Sequence, residues 1–281
     1  MSRVNEQRGG RLHGLWALTN RELKKWYKEP LLLLVSVVQP VIWMGLFGKA
    51  MNLGAVFASN PGISQFAGQI MKQTFGTSDY FSFMAMGMIS FVVLFTTMFS
   101  GMSIVWDRRL GFLNKVLSTP VSRGVIIFSK VLSATLRAIF QAAIVLMVAL
   151  LFGLQLSSNF NPINILGVFA VIFLICIGLS SLFLLMAIRS TKWETPMAVA
   201  NLVNLPLMFA SNAFFPTKMM PEWLQLIAQI NPLTYTTDAV RQLLIYNMNA
   251  TQLLIDFTYL GVFAAVISTV GIGLSLRYLG K

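Results

Sequence analysis

Cysteine and histidine are nearly missing from this chain. Among 281 residues there is one of each, Cys176 and His13, so no intrachain disulfide framework and no Cys/His metal cluster can be assembled. Charge is scarce as well. Only 11% of the residues are charged, less than half of the roughly 25% found in an ordinary soluble domain. That deficit excludes a soluble globular surface, and the 56% apolar content excludes disorder. Neither a Gly-x-x-x-x-Gly-Lys-Ser/Thr phosphate loop nor a His-Glu-x-x-His zinc motif occurs in the sequence, so the chain lacks both devices. What is left is a polytopic membrane protein.

The apolar residues are gathered into runs. A helix crossing a bilayer needs about 20 mostly apolar residues, and six stretches meet this at about 31–48, 80–106, 131–156, 163–188, 195–217 and 257–276. The charge-free part of the third runs over 138–161. Backbone groups in lipid must be satisfied within the segment, and continuous runs such as 168–177 do not alternate as barrel strands do. The expected fold is therefore all-α with six transmembrane helices. The first 30 residues are polar and basic with no apolar core, unlike a cleavable signal peptide.

Lys and Arg are divided unequally between the two sides. With the N-terminus inside, segments 1–30, 107–137, 189–194 and 277–281 hold 17 basic and five acidic residues. The outer segments hold four of each: Lys49, Lys72, Lys218 and Arg241 against Asp79, Glu222, Asp238 and Asp256. The whole net charge of +12 thus falls on one face, as the positive-inside bias requires. Both termini are expected in the cytoplasm, and nucleic acid is not needed to explain the charge.

Two inner segments carry helical patterns. Arg21, Lys24, Lys25 and Lys28 share one helical face, with Leu15, Trp16, Leu23, Trp26 and Tyr27 covering much of the other side. Such a helix lies along the membrane surface, and Thr19 with Glu22 has the form of a capping box. Between spans two and three, Leu110, Leu113 and Leu117 stand at helical spacing, with Arg108, Arg109 and Lys115 on other faces and Pro120 closing the helix. A connection between neighbouring helices needs only about 2–8 residues. The longer amphipathic segment suggests a docking surface, against the plainer alternative of an interfacial helix. Arg137 either snorkels to headgroups or lines an inner vestibule.

The outer segment 217–256 is too long for a turn and too apolar for a free loop. Pro221 can start a helix bearing Trp223, Leu224, Ile227 and Ile230; Asn231-Pro232 stops it; a second stretch follows with Ala239, Val240, Leu243 and Leu244 on one side. Two half-helices around a break suggest a re-entrant hairpin, which survives at depth only where protein covers it or it lines a cavity. Interfacial packing is the alternative. Pro40 and Pro206 are potential kinks. Asn201, Asn204 and Asn212, in or near the fifth span, serve either as bonds between helices or as substrate contacts. With the third run counted over its charge-free part, 138–161, none of the six contains a charged residue, which argues against an ion-coupled carrier and leaves little for catalysis. Neutral surfaces rich in Met and Phe suit an apolar or amphipathic cargo.

Three stretches together resemble the ABC-2 type permeases, the membrane subunits of ABC exporters that include the daunorubicin-resistance permeases. They are R-E-L-K-K-W-Y-K-E-P at 21–30, D-R-R-L-G-F-L-N-K-V-L-S-T-P-V-S-R at 107–123, and F-F-P-T-K-M-M-P-E-W-L-Q-L-I-A-Q-I-N-P-L-T-Y-T-T-D-A-V-R at 214–241. The last is the most specific, and the likeness covers essentially the whole chain. One departure is Asp107, where glutamate is more usual; the charge is kept.

The resemblance implies roles for particular residues. Asp107, Arg108, Arg109, Leu110, Leu113, Asn114 and Leu117 would form a coupling helix seated on a separate ABC ATPase. Arg21, Glu22, Lys24, Lys25, Trp26 and Lys28 would belong to a connecting helix beside it. Phe214, Phe215, Pro216, Trp223, Asn231, Pro232 and Tyr235 would close an outer gate, with Asn201, Asn204 and Asn212 as pathway candidates. It further implies two copies of the chain in the plasma membrane above two ATPase subunits. No cofactor or metal is expected on this chain, because ATP and magnesium belong to the partner. The expected cargo is a hydrophobic drug or lipid-like compound, with a polysaccharide or glycolipid as the alternative.

Overall fold

The structure is a computed structural model that describes residues 11–50, 66–77, 79–119, 121–190 and 192–279. Every regular element among them is helical: α1 (Arg11–Tyr27), α2 (Pro30–Trp43), α3 (Ala67–Phe75), α4 (Tyr80–Arg109), α5 (Phe112–Leu117), α6 (Arg123–Leu151), α7 (Asn164–Ala187), α8 (Glu194–Phe209), α9 (Glu222–Ile230), α10 (Pro232–Leu244) and α11 (Ala250–Leu279). The core follows from how apolar each helix is around its circumference. From Tyr80 to Leu94 every residue of α4 is buried, and α7 is apolar around its circumference, with one side buried and Leu166 and Phe173 exposed on the other. Helices α6, α10 and α11 pack around this pair, and α1 lies against α6.

Among the described residues, four helices are long and apolar enough to cross a bilayer: that containing α4, then α6, α7 and α11. The first and fifth expected spans are built differently. Helix α2 contains Pro40 and passes at Met44 into a π-helical turn, Met44–Ala50, where the Met44 amide donates to the carbonyls of Pro40 and Val41. Proline lacks the donor that would continue the regular ladder. Helix α8 has 16 residues and stops at Phe209, three residues after Pro206. The expected span to residue 217 is thus helical only in its first part, and 210–216 forms a non-helical turn.

Helices also run past the charge-free stretches. Helix α6 begins at Arg123 and carries Lys130 and Arg137 within it, while α4 carries Asp107 in its last turn. Thr19 is not a cap, because α1 starts well before it and its hydroxyl donates to the Leu15 carbonyl inside the helix at 2.8 Å.

Candidate functional site

At the Arg109 end of the bundle, five charged side chains from three helices meet. Lys130 Nζ on α6 donates to Asp107 Oδ2 of α4 at 2.6 Å, to Ser103 Oγ at 2.8 Å and to Glu22 Oε1 of α1 at 3.4 Å. Arg21 donates to Glu22 at 2.9 Å and to Asp107 Oδ1 at 3.2 Å, and Lys25 reaches the same Oδ1 at 3.2 Å. Asp107 is 2% exposed, and Glu22 and Lys130 are buried with it. Removing charges from water costs several kcal/mol each, repaid only by close pairing with further hydrogen bonds. The cluster supplies both. The Arg21 guanidinium also lies 3.2 Å from the centre of the Phe112 ring, joining the start of α5 to α1.

The basic row expected on one face of α1 is divided between the cluster and the surface. Arg21 and Lys25 reach Asp107 while their side chains stay 30% and 39% exposed, and Lys24 and Lys28 of that row are exposed. Trp26 is half-buried, edge-on to Phe140 of α6 at 5.5 Å, whereas Trp16 and Tyr27 remain exposed. Helix α1 therefore docks by ion pairs on one side and by aromatic contact on another.

The segment from Asp107 to Leu117 is not one helix. Gly111 has φ of +70°, a left-handed conformation that glycine adopts without penalty, and it separates α4 from the six-residue α5. Leu113 is consequently 3% exposed and packs into the core with Val116, Leu117 is half-buried against it, and Leu110 is 72% exposed. Leu110, Leu113 and Leu117 do not share an outward stripe. Arg108 turns back to donate to the carbonyls of Ser190 and Ile188. The outward groups are Arg109, Leu110, Asn114 and Lys115. Pro120, expected to close this helix, lies outside the described residues.

At the other end, Asn231 caps α10 by accepting from the Leu233 amide at 3.0 Å, and its Nδ2 donates to the carbonyls of Leu207 and Ala210 at 2.8 and 2.7 Å. Pro232 follows at the first helical position, where its missing N–H costs nothing. Arg241, 1% exposed, donates to the carbonyls of Asn212 at 2.7 Å and of Ala213 and Phe83 at 3.0 Å, and stacks 3.5 Å over the Phe83 ring. Its fork satisfies the open carbonyls of the turn after α8. Gly87 permits that turn to approach α4, since a Cβ there would lie 2.0 Å from the Ala213 oxygen. Helix α10 is buried on most of its surface.

The remaining residues expected near this end are split. Phe214 is buried, stacked on Phe209 at 5.7 Å and edge-on to Phe91 at 6.4 Å; Pro216 is buried and Phe215 exposed. Tyr235 donates to the Gln229 carbonyl at 2.7 Å and stacks on Tyr259 at 3.9 Å. Trp223, 65% exposed, forms an outward apolar stripe on α9 with Leu226, Ile227 and Ile230. Asn201 is exposed, and the buried Oδ1 atoms of Asn204 and Asn212 accept no hydrogen bond from the described residues.

Between α1, α2, α4 and α6 lies an open groove of about 680 Å³. One face of α4 supplies Phe91, Phe95, Phe99, Ser103 and Trp106 at successive helical turns, and Trp193 closes the same end. Arg137 and Gln141 of α6 line the opposite wall. Gln141 Nε2 donates to Ser36 Oγ of α2 at 2.6 Å and its Oε1 accepts from Thr96 of α4, forming a polar belt halfway along. Sequence reasoning missed this belt, because isolated Gln, Ser and Thr residues in separate apolar runs carry no shared signal. Lys130 and Arg241 were visible as charges beside apolar stretches, but their partners lie 23 to 158 positions away.

Apolar helices long enough to span a bilayer, joined by ion-paired helices at one end, define a polytopic membrane protein. The chain belongs to the ABC-2 type transporter family, whose model matches residues 13–245. It is 32% identical over 227 residues to "Putative transport permease ycf38" of Porphyra purpurea, covering 80% of this chain and 72% of that protein. The protein of the same name in Cyanophora paradoxa is 30% identical over 249 residues, with 86% and 79% covered. "Daunorubicin resistance ABC transporter permease protein DrrB1" of Streptomyces coeruleorubidus is 23% identical over 215 residues, with 76% and 69% covered.

Proposed function

We propose that this chain is the permease subunit of an ATP-driven exporter for a hydrophobic drug or lipid-like cargo, pairing with a second copy of itself and with two separate ABC ATPase subunits. The chain sits in the plasma membrane as a single six-span domain with both termini in the cytoplasm. Spans one and five are the shorter helices α2 and α8. The observation that carries the proposal is the outward patch of Arg109, Leu110, Asn114 and Lys115 at the foot of α4, held in place from behind by the buried Asp107 cluster. Family membership and the transport names of its relatives support it.

In operation, ATP and magnesium act in the partner, and closure of the ATPase pair moves the α5 patch as a rigid body. Helices α1, α4 and α6 follow because the ion cluster ties them together. Transport couples to hydrolysis only if the two states differ in contact free energy at that patch. Helices α9 and α10, with the 210–216 turn, close the outer side. The test is affinity purification of the tagged full-length chain from its own cells, with ATPase activity measured against candidate cargoes. Leu110→Asp should abolish cargo-stimulated hydrolysis while leaving the inserted amount unchanged. Undiminished stimulation in that variant would refute the docking assignment. Leu113 is unsuitable for this test, since its burial makes a charge there a folding defect.

A further inference from the structure

Arg137 brings a guanidinium to the wall of the groove without a salt bridge, although Glu22, already paired to Arg21 and Lys130, lines the same groove and is near enough to act on it electrostatically. Its Nε donates to the Ser133 carbonyl at 3.1 Å, and its Nη2 to Ser100 Oγ at 3.0 Å and Ser133 Oγ at 3.4 Å. These are neutral acceptors, and no ion pair to Arg137 occurs among the described residues. An ionisable side chain in a spanning segment is costly and is kept where it has a charge or a passing ligand to meet. The nearby cluster offers no spare anion. Its two carboxylates are engaged by three cations, leaving one positive charge in excess. Arg137 adds a second, and the exposed Glu29 at the rim offsets one.

The rest of the groove is amphipathic in the same direction. From Ser103 the α4 wall continues through Phe99, Phe95 and Phe91, one residue per turn. A charged head at Arg137 therefore has an aromatic track leading away from it. A volume of about 680 Å³ lies within the roughly 300–1,000 Å³ of sites that hold one small molecule.

We propose that this groove binds the cargo itself, a small amphiphile with an anionic carboxylate or phosphate head at Arg137 and its apolar part along Phe99, Phe95 and Phe91. The assignment rests on the exporter proposal for the word cargo, and it narrows the cargo to anionic amphiphiles. Guanidinium and an oxyanion form charge-assisted, often two-pronged hydrogen bonds. A cationic head would instead be repelled.

The test uses the full-length chain in phosphatidylcholine nanodiscs, where Trp26, Trp106 and Trp193 in the groove report occupancy by fluorescence. Dodecyl phosphate, dodecyl maltoside and dodecyltrimethylammonium share one tail and differ in the head. Dodecyl phosphate should saturate at least about tenfold more tightly than the other two, a ratio that one charged hydrogen bond supplies. Arg137→Gln should remove that preference and Arg137→Lys should keep part of it. Equal affinity for the three heads in the unaltered chain would overturn the proposal, and so would an unchanged preference in Arg137→Gln. If Arg137→Gln fails to fold, the head series alone decides. Loss of dodecyl phosphate binding in nanodiscs containing phosphatidylglycerol would assign the site to a bilayer lipid and overturn the cargo assignment. Failure of anion binding while Leu110→Asp still uncouples hydrolysis would sink this proposal and leave the exporter standing.

Discussion

Lys130 of α6 and Asp107 of α4, 23 positions apart in sequence, meet at 2.6 Å in the interior of the bundle. Two charges at the ends of the expected 107–130 loop thus form a buried fastening at its base. Around them Arg21, Lys25 and Glu22 bring in α1, so the short helix α5 hangs from a rigid corner.

Replacing Asp107 by Asn leaves three cations around a single carboxylate, Glu22. Breaking a buried pair by removing one partner costs about 3–5 kcal/mol, and Asp107→Asn should show a loss of that order. Lys25, whose side chain is 39% exposed, belongs to the class of surface pairs worth about 0–1 kcal/mol, so Lys25→Met should be nearly silent. Thermal unfolding of the two variants, followed by tryptophan fluorescence in nanodiscs at one scan rate, separates them. Equal shifts would show that the cluster is not a buried fastening.

Arg241→Lys should behave almost as badly as Arg241→Gln. A lysine ammonium cannot reproduce the planar fork that reaches the carbonyls of Phe83, Asn212 and Ala213. Each buried carbonyl left open costs about 1–3 kcal/mol. The turn after α8 should loosen, so that a cysteine placed at the buried Ala213 becomes reactive to maleimide in Arg241→Lys and stays silent otherwise. Cys176 is itself buried and should give no background. Rapid labelling of Ala213→Cys with Arg241 intact would contradict the packing.

Glycine positions sort by what stands opposite them. An added Cβ at Gly87 would meet the Ala213 oxygen at 2.0 Å, and one at Gly101 would lie 2.6 Å from Phe183 Cβ and 2.8 Å from the Leu184 amide nitrogen. Backbone cannot step aside as a flexible side chain can, so both alanine variants should lose at least about 1–3 kcal/mol. Gly261 of α11 has nothing within 4 Å, and Gly261→Ala should be neutral or gain up to about 1 kcal/mol of helix propensity. Apparent melting temperatures of the three variants check the order.

The proposed topology puts α5 and α9 on opposite sides of the membrane. Lys115 and Glu222 are both exposed, so cysteine at either site is open to reagent. In intact cells an impermeant maleimide should label Glu222→Cys and leave Lys115→Cys unreacted until the membrane is opened. Labelling of both from outside would refute the six-span arrangement.

Composition, run length and the lack of alternation determined that this is a helical membrane protein, because only helices and closed barrels satisfy their backbone in lipid and the continuous apolar runs do not alternate as barrel strands do. The stretches at 21–30, 107–123 and 214–241 carried the family, which the match over residues 13–245 bears out. Tertiary structure decided where the charges go. Helical spacing put Leu110, Leu113 and Leu117 together, and one left-handed glycine, Gly111, separated them. Spacing likewise placed Arg21 and Lys25 on one basic face without their partner, since a local pattern cannot register a carboxylate some 80 residues away. The groove belongs wholly to the fold. Its walls come from four helices, and its composition exists only once α2, α4 and α6 stand side by side.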